Sequence, residues 1–401
     1  MSICIMGGAS LSEESIAFVK NRFAEYYNTK AISLPDRFGR REFAFLLFNA
    51  KGMYRHLAFE KRTHFAQFVK EKEPAHIYYS SAYYQHPDAP TMHEKTWMGA
   101  ELIFDLDSDH LPGAERMSYE ESLRQVKKEF AKLVNDFLLH DFGFDEKYVD
   151  LYFSGGRGYH CHVTDPKVLQ LDSNERREIV DYITGRDLKD SLIFHQQATG
   201  RKNYGRQTYA SGTTLKMPTP DEPGWRGRIS RGIIEIVNEI KNSDNPVERL
   251  QSYGVKKAEA ERLLQDLSEE RVQRIKEGKL DQSRAIRKFF LNNALRKTAV
   301  SMSAGETDEP VTCDIKRLIR LPGSLHGKTG FQVAKIPLDN LAAFDPLNDA
   351  VVCSDKPVSV DMSKPAEITI KNETFSLKPG GEEVPTYLAV FLIGRKMANI
   401  M

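Results

Sequence analysis

Cysteine is scarce in this chain of 401 residues: Cys4, Cys161, Cys313 and Cys353 are its four, widely separated. With no C-x-x-C pair, a compact cysteine-built zinc site is not expected, and so few thiols fit a reducing, intracellular setting better than a disulfide framework. No apolar run reaches the roughly 18 residues that a membrane span needs. The opening Met-Ser-Ile-Cys-Ile-Met-Gly-Gly has no basic stretch leading into a long apolar one. No signal peptide is therefore expected, and the expected location is cytoplasmic. An excess of charge of one sign is also missing, since 57 Lys and Arg face 56 Asp and Glu for a formal net charge of +1. That excludes a uniformly basic coat. It leaves a nucleic-acid partner open, because steering depends on where basic residues cluster rather than on their sum. Internal repeats and low-complexity tracts are absent too.

What is present is an ordinary globular composition, 40% hydrophobic and 28% charged, long enough for one large core or two moderate ones. Ser12 before Glu13 and Glu14 reads as the cap of a first helix, followed by an apolar strand over 42–47 that 54–59 can pair with. Residues 76–84 are aromatic and β-prone, and 101–107 form a buried strand ending in acid. Ser118-Tyr-Glu-Glu121 is a capping box opening a helix whose apolar residues recur at helical spacing from Leu123 to Phe137. A strand over 148–153 then enters a glycine-rich turn. From about Leu171 the character changes, and 174–182, 230–240, 256–278 and 283–295 read as helices. Alternating strand patterns return after Asp308. The sequence thus predicts an α+β protein, with 1–170 plus 296–401 forming one discontinuous domain and 171–295 a mainly helical insertion.

Three clusters carry chemistry. In the strand Glu101-Leu-Ile-Phe-Asp-Leu-Asp107, residues two apart share a face, so Asp105 and Asp107 project together while Leu102, Phe104 and Leu106 face apolar packing. Two adjacent carboxylates repel unless a cation lies between them, and hard oxygen ligands suit Mg²⁺ or Mn²⁺. About eight acid-x-acid triplets would arise by chance, so a solvated strand end remains an alternative. The buried run before the pair favours the site reading. Asp109 continues the face into a turn and ranks lower.

The second cluster is Ser154-Gly-Gly-Arg-Gly-Tyr-His160. Its glycines permit positive φ and close approach, so backbone N–H groups can face a phosphate, with Ser154, Arg157 and His160 adding donors. A plain hairpin turn with an exposed arginine is the alternative. It is not a Walker A loop, because no Gly-Lys-Ser/Thr follows. The third cluster, from Asp308 to Lys328, puts Lys316, Arg317, Arg320, His326 and Lys328 around a Pro-Gly turn. On a strand Arg317 and Arg320 would face opposite ways, so not all of these reach one triphosphate; Lys316 and Lys328 read as surface charges. Asp308 or Asp314 could complete a metal site.

In this order, Phe-Asp-Leu-Asp107, Ser-Gly-Gly-Arg-Gly-Tyr-His160 and Arg-Leu-Ile-Arg-Leu-Pro-Gly-Ser-Leu-His326-Gly resemble the catalytic small subunit of archaeo-eukaryotic DNA primase, of the archaeal type. The C-terminal Val384-Pro-Thr-Tyr-Leu-Ala-Val-Phe-Leu also looks like that family's tail. The resemblance implies a "prim" domain with an RRM-like β-sheet core and an inserted helical subdomain. It implies Asp105, Asp107 and, selected over Asp314, Asp308 as ligands of two Mg²⁺ or Mn²⁺ ions. Ser154, Arg157, His160, Arg320 and His326 would hold the incoming nucleotide's phosphates, with Arg55 a weaker candidate. The implied activity is template-directed primer synthesis from nucleoside triphosphates on single-stranded DNA. The implied partner is the large primase subunit, which carries an iron–sulfur cluster in this family. One departure stands out: where many archaeal relatives carry a Cys/His zinc knuckle, this chain has His110-Leu-Pro-Gly-Ala-Glu-Arg-Met, so no structural zinc is predicted.

Two other readings remain at this point. A primase-polymerase or repair polymerase of the same superfamily would mainly extend existing primers. A non-enzymatic replisome scaffold would leave the acids as a mere strand end, at the cost of making three clusters coincidental.

Overall fold

The computed structural model describes residues 11–110, 113, 116–204, 207–280, 284–298 and 311–401. Asp308 and most of the stretch from 111 to 115 lie outside them. The chain divides into two compact units, Met1–Glu178 with Ser301–Met401, and Ile179–Val300. Helices and strands mix throughout the first unit, an α+β arrangement. No helix among the described residues is long and apolar enough to cross a membrane.

In the first unit, helix Glu13–Thr29 starts where Ser12 Oγ accepts the Ser15 N–H at 3.1 Å, satisfying one of the open donors of the first turn. It buries Val19, Phe23, Tyr26 and Tyr27 against Phe43, Phe45, Phe65, Ile77 and Ile319. The facing sheet has four antiparallel strands in the order Leu318–Arg320, His76–Ser80, Phe43–Leu46, Tyr54–Leu57. A second antiparallel sheet has the order Lys335–Ile336, Val149–Phe153, Gly158–Val163, Leu102–Asp107. One face of the second sheet carries Phe104, Leu106 and Tyr159 and packs on helix Tyr119–Lys132, where Phe130 stacks on Tyr159 at 5.3 Å. The other face carries Ile103, which belongs to the core of the first sheet, and His162, whose Nδ1 is 3.1 Å from Tyr79 Oη. Asp105 and Asp107 lie on this second face, at the strand's end. The acid strand is thus covered on both sides until its acids.

The structure sharpens three readings and corrects a fourth. The β-prone run over 76–84 is two strands in different sheets, because Ser80 Oγ accepts the Glu42 N–H and donates to Ala82 O, and the Arg41 guanidinium takes Ser80 O. The helix from Ser118, opened by the expected capping box, runs on as a π-helical stretch over Leu133–Asp141. The family-like tail over 384–392 is mostly helix, Thr386–Gly394, buried from Thr386 to Ile393. The predicted helix over 256–278 is two, Lys257–Asp266 and Glu269–Lys276, interrupted where Ser268 caps the second.

The second unit is built from helices Gly224–Lys241, Pro246–Ser252, Lys257–Asp266, Glu269–Lys276 and Arg284–Thr298. It also holds a long antiparallel hairpin, His195–Tyr204 with Gln207–Lys216, extended by Lys279–Leu280. The sequence reading missed this hairpin. Its strands are polar and threonine-rich and lack the apolar alternation that marks a half-buried strand.

Candidate active site

The register of the second sheet places Asp105 opposite His160 and Asp107 opposite Gly158. Only glycine fits at 158, since a Cβ there would stand 2.2 Å from Leu106 O. His160 Nε2 is 3.4 Å from Asp105 Oδ1. Burial lowers the His160 imidazole to a pKa of about 4 despite the nearby Asp105, so at neutral pH it is uncharged. The Asp107 carboxyl is pushed the other way. Burial raises it above the usual carboxylate range, and repulsion from Asp109 and Asp105 adds to this against the Asp109 N–H and Arg157. Among the described residues no Lys or Arg forms an ion pair with Asp105 or Asp107. A carboxylate in this state favours a cation in front of it. No three His, Cys, Asp or Glu side chains converge as a complete metal-ligand set among the described residues. What they supply is a pair of carboxylates with hard oxygen donors, and Asp308 lies outside them.

Asp109 follows in a 3₁₀ turn, Ser108–His110. Its N–H donates to Asp107 Oδ1 at 3.1 Å, and its carboxylate is ion-paired with Arg157. The residue ranked low in sequence thus stitches the acid strand to the glycine turn.

In that turn Gly155 has φ +75°, and a Cβ at Gly155 or Gly156 would meet His326 at 2.8 or 3.0 Å. His326 is therefore packed directly beneath the turn. Two amides that the sequence offered to a phosphate are occupied, because Ser154 Oγ accepts the N–H of Gly156 and of Gly158, each at 3.2 Å. The turn's carbonyls are fixed as well: Thr329 Oγ1 donates to Gly155 O and Tyr119 Oη to Gly156 O, both at 2.5 Å. His326 Nδ1 accepts the Lys328 N–H at 3.3 Å. Burial, with the charges of Arg320 and Lys328 and the neighbouring His76 ring, holds the His326 pKa well below its ordinary value. The neutral ring then carries its proton on Nε2, the nitrogen beside Gly156, as a donor.

Arg320 ends the Leu318–Arg320 strand opposite Tyr78. Its guanidinium lies over the Tyr78 ring at 5.1 Å, and one Nη is 2.6 Å from His76 Nδ1. His76 also accepts the Gly327 N–H at 3.2 Å. Burial, then Arg320 and Lys328, lowers His76 to a pKa of about 3, so it is an uncharged acceptor. The carboxylates of Asp105 and Asp107 both act on Arg320. Arg317 lies just before the strand rather than on it, and its charge reaches His160 together with that of Arg320. The strand alternation weighed for the two arginines therefore does not apply to Arg317. Lys316 is exposed, as expected of a surface charge. Lys328 is exposed too, yet its charge bears on both His76 and His326. Asp314 Oδ1 accepts the Lys316 N–H at 2.9 Å in a local turn. Arg55 donates from Nε to the buried Glu42 carboxylate at 3.1 Å, which Lys95 also reaches at 3.2 Å.

Three residues around the turns escaped sequence reasoning: His76, Tyr119 and Arg395. Arg395 caps the C-terminus of helix Thr386–Gly394 and stacks on Tyr119 at 4.7 Å and Phe391 at 5.1 Å. The one available signal was the family-like tail, which stops at Leu392.

Side by side, the arrangement is a carboxylate pair suited to a hard cation, next to two tight turns bearing arginine, lysine and neutral histidine donors. That combination suits phosphate chemistry. The family model for the DNA primase small subunit matches residues 104–337, a span holding all three clusters. Among similar proteins is the DNA primase small subunit PriS of Methanothrix thermoacetophila, 41% identical over 97% of this chain and 100% of its own. The protein of the same name from Methanococcoides burtonii is 41% identical over 95% of this chain and 97% of its own. That of Picrophilus torridus is 39% identical over the same shares, 95% and 97%. On a matching family model and full-length relatives alike, the chain belongs to the DNA primase small subunit family.

Proposed function

We propose that the chain is the catalytic subunit of a primase, joining nucleoside triphosphates into short primers on a single-stranded DNA template. The 3′-hydroxyl oxygen of one nucleotide attacks the α-phosphorus of the next, the bond to the β-phosphate oxygen breaks, and pyrophosphate leaves. The observation that carries this reading is the Asp107 carboxyl, held above its usual range beside Asp105 and within reach of two phosphate-suited turns. Asp105 and Asp107, with Asp308, would hold two Mg²⁺ or Mn²⁺ ions. Bound there, such ions supply charge neutralisation and activation of the attacking hydroxyl. His160 orients Asp105. Arg320 and His326 Nε2–H bind the phosphates, while Ser154 and the Asp109–Arg157 pair hold the turn in shape. Catalysis then rests on positioning and charge stabilisation.

The unit of Met1–Glu178 with Ser301–Met401 is read as the catalytic domain, its antiparallel sheets as the RRM-like core, and Ile179–Val300 as the insertion. The family reading adds a heterodimer with an iron–sulfur large subunit, and no structural zinc; stoichiometric zinc in purified protein would contradict the latter. In the central test, Asp107→Ala abolishes primer synthesis from nucleotides alone, losing at least about a thousandfold in rate, while its melting temperature stays at or above that of the parent. Synthesis at the parental rate in that variant would remove the site. Supplying the parent chain with a pre-made primer, or with none, separates initiation from mere extension.

A further inference from the structure

The cation at the end of the last helix has no ion-pair partner among the described residues. Arg395 is half-buried, its guanidinium lies over the touching rings of Tyr119 and Phe391, and that guanidinium forms no hydrogen bond or ion pair among the described residues. Burial also pulls its pKa below the usual arginine value. The charged neighbours it feels, Arg157 and Asp109, are already paired with each other. A guanidinium that is desolvated without an anion destabilises the folded chain, and a bound anion relieves that cost.

Arg395 is held where such an anion would arrive. On one side its stacking partner Tyr119 anchors the glycine turn through Gly156 O. On the other, the preceding Gly394 is pressed onto the turn that follows His326, where a Cβ would stand 2.7 Å from Lys328 O. The buried His326 imidazole feels the charge of Arg395. The two arginines nevertheless differ in their neighbours. Arg320 feels Asp105 and Asp107, whereas Arg395 feels Asp109 and Arg157, the ion pair that joins the acid strand to the glycine turn. A triphosphate whose reacting phosphorus lies at the acids and Arg320 therefore extends its far end toward Arg395.

We propose that Arg395 binds the terminal phosphate of the incoming nucleoside triphosphate, so that the C-terminal helix takes part in telling triphosphates from diphosphates. This rests on the reading of the site as a nucleotide site. A guanidinium meets a phosphate with two parallel N–H donors, a strong charge-assisted contact available only when the third phosphate is present.

The test measures the affinity of the full-length protein for ATP and for ADP in Mg²⁺, by titration calorimetry, in the parent and in Arg395→Gln and Arg395→Lys. Arg395→Gln is expected to weaken ATP binding by roughly 10- to 100-fold and ADP binding by less than about threefold. Arg395→Lys keeps the charge and is expected to fall between, which tests the idea even if Arg395→Gln does not fold. Equal ATP affinity in the parent and both variants, or equal losses for ATP and ADP, overturns the assignment while leaving the nucleotide site intact. Failure of the parent itself to bind ATP overturns the underlying reading instead, and the assignment with it.

Discussion

His76 illustrates how a single side chain is committed to a charge state by its neighbours. Its Nδ1 accepts from both Arg320 and the Gly327 amide, so a proton there would have to displace two donors. With a folded pKa of about 3 against an ordinary value of 6.5, the native state binds fewer protons than the unfolded chain between these values. Stability should therefore be highest above pH 6.5 and fall on acidification, by up to roughly 1.4 kcal/mol per pH unit for one such group. His76→Asn, which keeps an acceptor but cannot titrate, is expected to flatten the decline between pH 6.5 and 4.5, read by denaturant unfolding at several pH values. An unchanged slope would show that other groups dominate this window. Glu101 acts lower down. Burial raises its carboxyl, but Arg41 and His162 overcome this and hold it at about 2 against an ordinary value of 4.5. Its contribution is present above pH 4.5 and is lost as pH falls toward 2. Asp105 and Asp107 could be read from sequence, because a spacing of two on a strand fixes their common face. His76 could not, because it lies 244 residues from the arginine it holds and no local pattern links them.

At the scale of elements, the site depends on how closely the Gly158–Val163 strand approaches the acid strand. Gly158→Ala introduces a Cβ into backbone rather than into a flexible side chain, so the pairing must give way. A destabilisation of about 3 kcal/mol is expected, together with loss of primer synthesis beyond what the stability change explains, because Asp107 is the residue opposite. Retention of full activity in a folded Gly158→Ala protein would show that this register is not required. The elements with strong local signals were legible: the acid strand, the Ser12 cap and the Ser118–Glu121 capping box. Those set by tertiary context were not. The π-helical stretch over Leu133–Asp141 shares its apolar spacing with an ordinary helix, and the hairpin of His195–Tyr204 with Gln207–Lys216 has no apolar alternation to announce it. In the glycine turn the residue types were read correctly but their partners were not, since Ser154 turns inward to the amides of Gly156 and Gly158.

Across the whole molecule, a net charge of +1 conceals a separation of charge. Residues 179–300 hold 23 Lys and Arg against 16 Asp and Glu, while the remainder holds 34 against 40. A polyanion is favoured by the basic surplus of the one unit and disfavoured by the acidic surplus of the other. Affinity for single-stranded DNA is therefore expected to fall steeply with salt, by roughly tenfold or more between 50 and 200 mM, as counterion release requires of several phosphate contacts. Fluorescence anisotropy with a labelled oligonucleotide checks this, and an affinity indifferent to salt would show that the basic surplus makes no phosphate contacts.

The order in which the site's parts occur along the chain also sets the order in which they can be assembled. Gly155 and Thr329, which fasten the two turns together, are 174 residues apart, and the whole of Ile179–Val300 lies between them. Closing so long a loop is slow compared with local helix and hairpin formation. The acid strand and the glycine turn can pair early, since Asp107 and Gly158 are joined by a hairpin-and-helix segment, but the histidine turn and the arginines reach them only after the insertion has been synthesised. An emerging chain would thus present carboxylates long before it could grip a triphosphate, and competence would appear late and all at once.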